Sequence, residues 1–246
     1  MLREIVVLPD SDAVADEAAR RLAEIAQKAI ASRGRFTMAL SGGSTPRLLF
    51  ERLSQEPYRS GMAWDRVHLF WGDERCVPPD DPGSNYWLAH QAWIAHVPIP
   101  SAQVHRVPGE WEPEQAARQY EETLRRFSGG GMLRFDLILL GLGADGHTAS
   151  LFPGSTTLEE RERWVLAVAA EYEGRPAHRV TLTLPILNAG RQVLFLVTGK
   201  AKAEIVRAVL QGPGEQLPAK KVQPTAGEVV WLLDEEAAHL GAPGAG

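Results

Sequence analysis

The chain has 246 residues, 44% of them hydrophobic and 23% charged, which suits one large α/β domain or two small ones around a sizeable core. The net charge of −5 argues against a nucleic-acid binder, whose footprint is basic, yet leaves room for an anionic small substrate held by a few local cations. A single cysteine, Cys76, rules out an intramolecular disulfide, the apolar run before Pro9 is too short for a signal peptide, and no stretch approaches the roughly 20 apolar residues that span a bilayer, so a soluble cytoplasmic protein without membrane or nucleic-acid partners is expected.

Ile5–Leu8 reads as the first strand. Ser11 or Asp12 is positioned to cap the helix that follows, where Val14, Ala18, Leu22, Ile25 and Ala29 recur at spacings of three and four, and Gly34 ends it. Phe36–Leu40 is a second strand. SGGSTP comes directly after it, with Ser44 or Thr45 as N-cap and Pro46 at the first helical position. Val67–Trp71 is a third strand, followed by Gly72-Asp73-Glu74-Arg75 and the proline-rich loop PPDDPGSNY. Ser84 caps a helix to about Ala95, Val104–Val107 suggests a short strand, and Pro113–Phe127 reads as a helix closed by three glycines. The apolar run Leu137–Leu140 is a buried strand that ends in glycines at 141, 143 and 146. Strands at 164–168, 180–184, 193–197 and 229–233 follow, with helices over 201–210 and from Asp234. GPGEQLPAKKVQP has the composition of a surface loop, and residues 241–246 that of a frayed tail. Alternating strands and helices predict a Rossmann-like, doubly wound, mostly parallel sheet with helices on both faces.

Chemistry concentrates where strands meet glycines. SGGSTP offers consecutive amides from Gly42, Gly43, Ser44 and Thr45 at a helix N-terminus, an anion nest by pattern; a plain tight turn is the other reading. It lacks the Lys-Ser/Thr of a Walker A motif and the last glycine of a nucleophile elbow, which disfavours a nucleotide triphosphatase and a serine hydrolase. GLGADG matches the dinucleotide pattern, but it lies past the middle of the chain and carries Asp145 and His147 where a cofactor needs a smooth approach. An imidazole in a glycine loop after a buried strand suits proton transfer near neutrality. Asp73 and Arg75 end another strand and point to a crevice, while Arg179 and Lys202 lie near ends of sheet elements and are candidate phosphate ligands. The histidines and the lone cysteine show no metal-binding spacing, so no metal site is expected.

Taken together and in this order, SGGSTP, WGDERCVPPDDPGSNY, GLGADGHTASLFPGS, RVTLTLP and VTGKAKAEIV resemble the glucosamine-6-phosphate isomerase/6-phosphogluconolactonase family, and within it the lactonases, from about residue 5 to residue 238. The resemblance implies a single domain over residues 1–246, no cofactor, a small phosphosugar lactone as partner, and hydrolysis of 6-phospho-D-glucono-1,5-lactone in the oxidative pentose phosphate pathway. It implies His147 as catalytic base with Asp145 beside it, Arg75 on the substrate, and Ser44, Thr45, Arg179 and Lys202 on the phosphate. In a general-base mechanism with these residues, Asp145 or Asp73 is expected to orient the imidazole or the water. The related deaminase is the main alternative. It differs by a tyrosine where Arg75 stands and by a glutamate where Phe152 stands, five residues after the histidine. A non-catalytic phosphosugar sensor is the other alternative; no basic helical extension supports it. Oxyanion stabilisation is expected from amides of the glycine loops. Whether Lys220 and Lys221 reach substrate is left open.

Overall fold

The computed structural model describes residues 2–170, 174, 176–212 and 216–239. Its strands are β1 (Leu2–Leu8), β2 (Phe36–Leu40), β3 (Val67–Trp71), β4 (Asp73–Arg75), β5 (Leu137–Leu140), β6 (Val165–Ala169), β7 (His178–Leu182), β8 (Gln192–Val197) and β9 (Glu228–Asp234). Its helices are α1 (Ser11–Arg33), α2 (Ser44–Leu53), α3 (Tyr58–Gly61), α4 (Asn85–Ala92), α5 (Pro113–Ser128), α6 (Leu184–Leu187), α7 (Ala203–Leu210), α8 (Pro218–Lys221) and α9 (Glu235–Ala238).

Six strands form a parallel sheet in the order β1-β9-β8-β5-β2-β3. Every residue of β2 and of β5 is buried, as expected of strands covered on both faces. Each fully buried Leu or Ile side chain there contributes about 2 kcal/mol of transfer free energy. From β2 the chain steps to β3 on one side; from β5 it steps to β8 and β9 on the other. The winding therefore reverses between β2 and β5, and a crevice opens at their carboxyl ends.

The strands expected at 164–168 and 180–184 exist, displaced to Val165–Ala169 and His178–Leu182, but they do not join the parallel sheet. They form a separate antiparallel sheet, β4-β7-β6, with Asp73–Arg75 as its third strand. Gly72 is the pivot between the sheets. Its amide donates to Leu40 O at 2.8 Å and its carbonyl accepts from Leu182 N at 2.8 Å. A Cβ there would stand 3.3 Å from Leu40 O, tight against backbone that cannot yield.

Several local expectations change. Asp10, not Ser11 or Asp12, caps α1, accepting from Ala13 N at 2.8 Å, because the Asp12 carboxylate pairs with Arg52. Gly34 closes that helix at φ 74°. Residues 104–107 form no strand; Val104 makes only an isolated bridge to Leu69. The segment after Gly212 is not simply a surface loop, since α8 buries Ala219 and Val222 packs beside it. The tail at 241–246 lies outside the described residues. Among those described, no helix is long and apolar enough to cross a membrane.

Candidate active site

At the carboxyl ends of β2, β3, β5 and β8 lies a cleft of about 190 Å³. It is lined by Gly42, Gly43, Ser44 and Thr45 from the first glycine loop, by Asp73 and Arg75 from β4, by His147 from the second glycine loop, and by Arg179 and Lys202. Of the expected catalytic and phosphate-binding residues, Asp145 is the one outside this lining. Three cations and one carboxylate make this cleft locally positive in a chain whose net charge is −5.

The first loop follows from a fully buried strand that must turn into a helix without room to spare. Gly43 takes φ 115° and stands at the N-cap position of α2 with no side-chain cap. Neither Ser44 nor Thr45 acts as the cap; both lie inside the helix, and Thr45 Oγ1 meets Thr198 Oγ1 at 2.8 Å. Among the described residues, the amides of Gly42, Gly43 and Ser44 donate to no protein acceptor. Such amides at a helix N-terminus favour an anion. Asn85 sets the loop's height. It is 1% exposed, donates from Nδ2 to Asp73 O at 2.8 Å, and a Cβ at position 42 would fall 1.8 Å from its Oδ1.

Pleat direction separates the three residues of β4. Glu74 turns away from the cleft and is 2% exposed, accepting from the amides of Arg75, Asn85 and Tyr86 and from Ser84 Oγ at 2.7 to 3.0 Å. Burial pushes its carboxyl above the usual carboxylate range and the four donors offset part of that rise; the same hydrogen bonds pin the loop that leads into α4. Asp73 and Arg75 face the other way. Arg75 stands directly opposite Arg179 on β7, with Arg75 Nη1 donating to Gly83 O at 2.7 Å. Directly opposite residues of an antiparallel pair share a face, so both side chains stand on the cleft side of the small sheet.

The second loop packs as tightly as the first. A Cβ on Gly143 would lie 2.0 Å from His147 Nδ1, and Gly146 takes φ 86°. Asp145 Oδ1 accepts from the His147 amide at 3.0 Å and lies 2.6 Å from His147 Nδ1, where a carboxylate accepts from an Nδ1–H tautomer. Asp73 does not touch the imidazole; its Oδ2 takes the Ser150 hydroxyl at 2.7 Å. The amides of Gly143 and Gly146 donate to His147 O and Gly143 O, so they are engaged within the loop and do not face a substrate oxyanion. Phe152 packs on the imidazole, ring to ring at 4.6 Å, and the Arg179 guanidinium carbon lies 5.6 Å from the Phe152 ring centre.

Lys202 ends a short 3₁₀ turn, Lys200–Lys202, immediately before α7, and so lies outside the α-helix expected over 201–210. Asp234 fixes the turn by accepting from Gly199 N at 2.8 and 3.0 Å. Lys220 and Lys221 line a different groove, beside Arg161 and Pro185. Sequence reading passed over Asn85, Ser150 and Thr198. Only Thr198, directly after β8, carried a positional signal; Asn85 opens α4 and Ser150 lies in the loop between β5 and β6, both well away from a strand end.

A model of the family described as glucosamine-6-phosphate isomerases/6-phosphogluconolactonase matches residues 9–231. A Synechocystis 6-phosphogluconolactonase is 44% identical over 216 residues, covering 85% of this chain and 86% of that one. The crystal structure of devB protein superposes with a TM-score of 0.89 at 37% identity, over 98% of this chain and all of the other. The 6-phosphogluconolactonase from Trypanosoma cruzi superposes with a TM-score of 0.87 at 30% identity, over 98% and 99% of the two chains.

Proposed function

The chain belongs to the glucosamine-6-phosphate isomerase/6-phosphogluconolactonase family, and within it we propose that this cleft hydrolyses 6-phospho-D-glucono-1,5-lactone to 6-phosphogluconate. The observation that carries the reading is the placement of the His147–Asp145 pair and the cations Arg75, Arg179 and Lys202 around one cleft of hexose-phosphate scale. In this reading residues 1–246 act as one domain, because the cleft draws side chains from both sheets. The protein works in the cytoplasm, where its single thiol suits a reducing compartment.

A δ-lactone is an activated ester and needs no covalent nucleophile. His147 Nε2 takes a proton from a water as the water oxygen bonds to C1, and the carbonyl electrons move to the exocyclic oxygen. Collapse of that intermediate breaks the bond from C1 to the ring oxygen, which recovers the proton from the imidazolium. Asp145 holds the Nδ1 proton through both steps. The phosphate sits on the amides of residues 42–44 with Arg179 and Lys202, and its remote binding energy sets C1 against the imidazole. Arg75, rather than the engaged amides of the second loop, answers the oxyanion.

Phe152 argues against the deaminase chemistry, since an apolar ring occupies the place beside the histidine where that reaction uses a second carboxylate. The test is to generate the lactone in situ and follow its loss against the spontaneous rate, with glucosamine 6-phosphate in parallel. Accelerated lactone loss without ammonia release is expected; ammonia release, or no acceleration, overturns the reading.

A further inference from the structure

We propose that Ser150 is a positioning residue that acts through Asp73, fixing the carboxylate so that its Oδ1 meets the sugar ring beside C1. The assignment rests on the lactonase reading of the cleft. Ser150 is fully buried, and its hydroxyl donates to Asp73 Oδ2 at 2.7 Å. Its own amide donates to Thr181 Oγ1 at 3.1 Å, and Thr181 is the residue directly opposite Asp73 in the antiparallel pair of β4 and β7. The second glycine loop is thereby bolted at one point to both strands that carry cleft residues.

The backbone is bent to make that contact. Ala149 takes φ 49°, and among the described residues it is the one non-glycine with positive φ. A left-handed alanine costs about 1 kcal/mol and persists where the surroundings demand it. Here it sends the two flanking hydroxyls to separate partners: Thr148 Oγ1 to Gly141 O at 2.8 Å, and Ser150 Oγ to Asp73. Oδ2 is held by Ser150, and among the described residues Oδ1 keeps only a 3.5 Å contact from Asn85 Nδ2. Among the described residues no cation pairs with Asp73, although it is 7% exposed and lines the cleft. An oriented acceptor of this kind suits a hydroxyl of the lactone ring or the attacking water, where small displacements are felt in turnover more than in binding.

The test is a double-mutant cycle with Ser150→Ala and Asp73→Asn, read as kcat and KM for the phosphorylated lactone, with melting temperature measured on each protein. Ser150→Ala removes one oxygen and adds no volume, so the fold persists. The expected result is a fall of about 10- to 100-fold in kcat with KM changed less than about threefold, and no further loss when Ser150→Ala is added to Asp73→Asn. An equal loss in both backgrounds would mean that Ser150 acts through the His147 loop or through stability, and the assignment would fail. Unchanged kcat in Ser150→Ala would also overturn it. A parent protein no faster than the spontaneous reaction would instead bring down the lactonase reading itself.

Discussion

The Phe152 ring lies 4.6 Å from the His147 imidazole, tilted by 35°, on a histidine whose Nδ1 is already held by Asp145. The wall presents an apolar face to the ring, while Asp145 is the carboxylate on Nδ1. Replacing the wall with Phe152→Glu would place a second anion against the ring and favour imidazolium. The acid limb of kcat/KM should then move to higher pH by about one unit, while Phe152→Leu leaves it in place. Superimposable pH profiles for both variants would refute a role for the wall.

Removal of the base is a sharper case. His147→Ala should lower kcat by about 10²- to 10⁴-fold with KM nearly unchanged, because the proposed mechanism sets the group on the reacting water and not on the phosphate. Asp145→Asn should cost a comparable factor, because an amide in that place no longer holds the proton on Nδ1. Steady-state kinetics with correction for spontaneous opening measures both.

Lys202 reaches the cleft from a 3₁₀ turn that Asp234 anchors, far along the chain from the imidazole loop. Lys202→Ala should therefore weaken the phosphorylated lactone by about 10- to 100-fold in kcat/KM, the worth of one charge-assisted contact. Unphosphorylated gluconolactone should react at the parental rate. Equal losses on both substrates would remove Lys202 from the phosphate.

Gly42 faces Asn85 so closely that an added Cβ would overlap Oδ1. Gly42→Ala should lower the melting temperature by about 2–8 °C, in line with an overpacking penalty of 1–2 kcal/mol in a chain of this size, and reduce turnover. Gly42→Ala with Asn85→Ala should recover most of the stability but not the turnover. Lack of thermal recovery would show that the clash lies elsewhere.

His105 stacks on Phe70 at 4.4 Å and on His68 at 5.5 Å, away from the cleft. Burial, and then the neighbouring His68, hold its imidazole down at about 4. Its folded value lies below the unfolded value of about 6.5, so the stability it contributes is complete above that pH and is lost as pH falls towards 4. The melting temperature of the parent relative to His105→Phe should decline across that window and level off outside it. A difference that does not vary with pH would contradict the burial of a neutral ring.

The fold was readable where one strand or helix carried its own signal. The run Leu137–Leu140 announced a strand buried on both faces, and the glycines after it announced a turn too tight for side chains, which Gly143 against His147 bears out. Less readable were the strands around Val165 and Val180. Their apolar alternation says that they are strands, but it does not say which sheet they join, because pairing partners are set by contacts distant in sequence. Ser84 does cap α4, but the cap of α1 was missed for the same reason. Asp12 has the chemistry of an N-cap, yet Arg52, forty residues away, claims its carboxylate.

By itself the sequence determined the kinds of chemistry present: amides without side chains, one imidazole beside a carboxylate, and a few cations in an acidic chain. Only the tertiary structure decided their pairing. It put Arg75 opposite Arg179, gave the imidazole to Asp145 rather than Asp73, and tied Asp73 to Ser150. Hydrogen bonds and like-charge contacts act over a few ångströms, and which groups come within that range is settled by how the two sheets meet at Gly72, a distance no local pattern encodes.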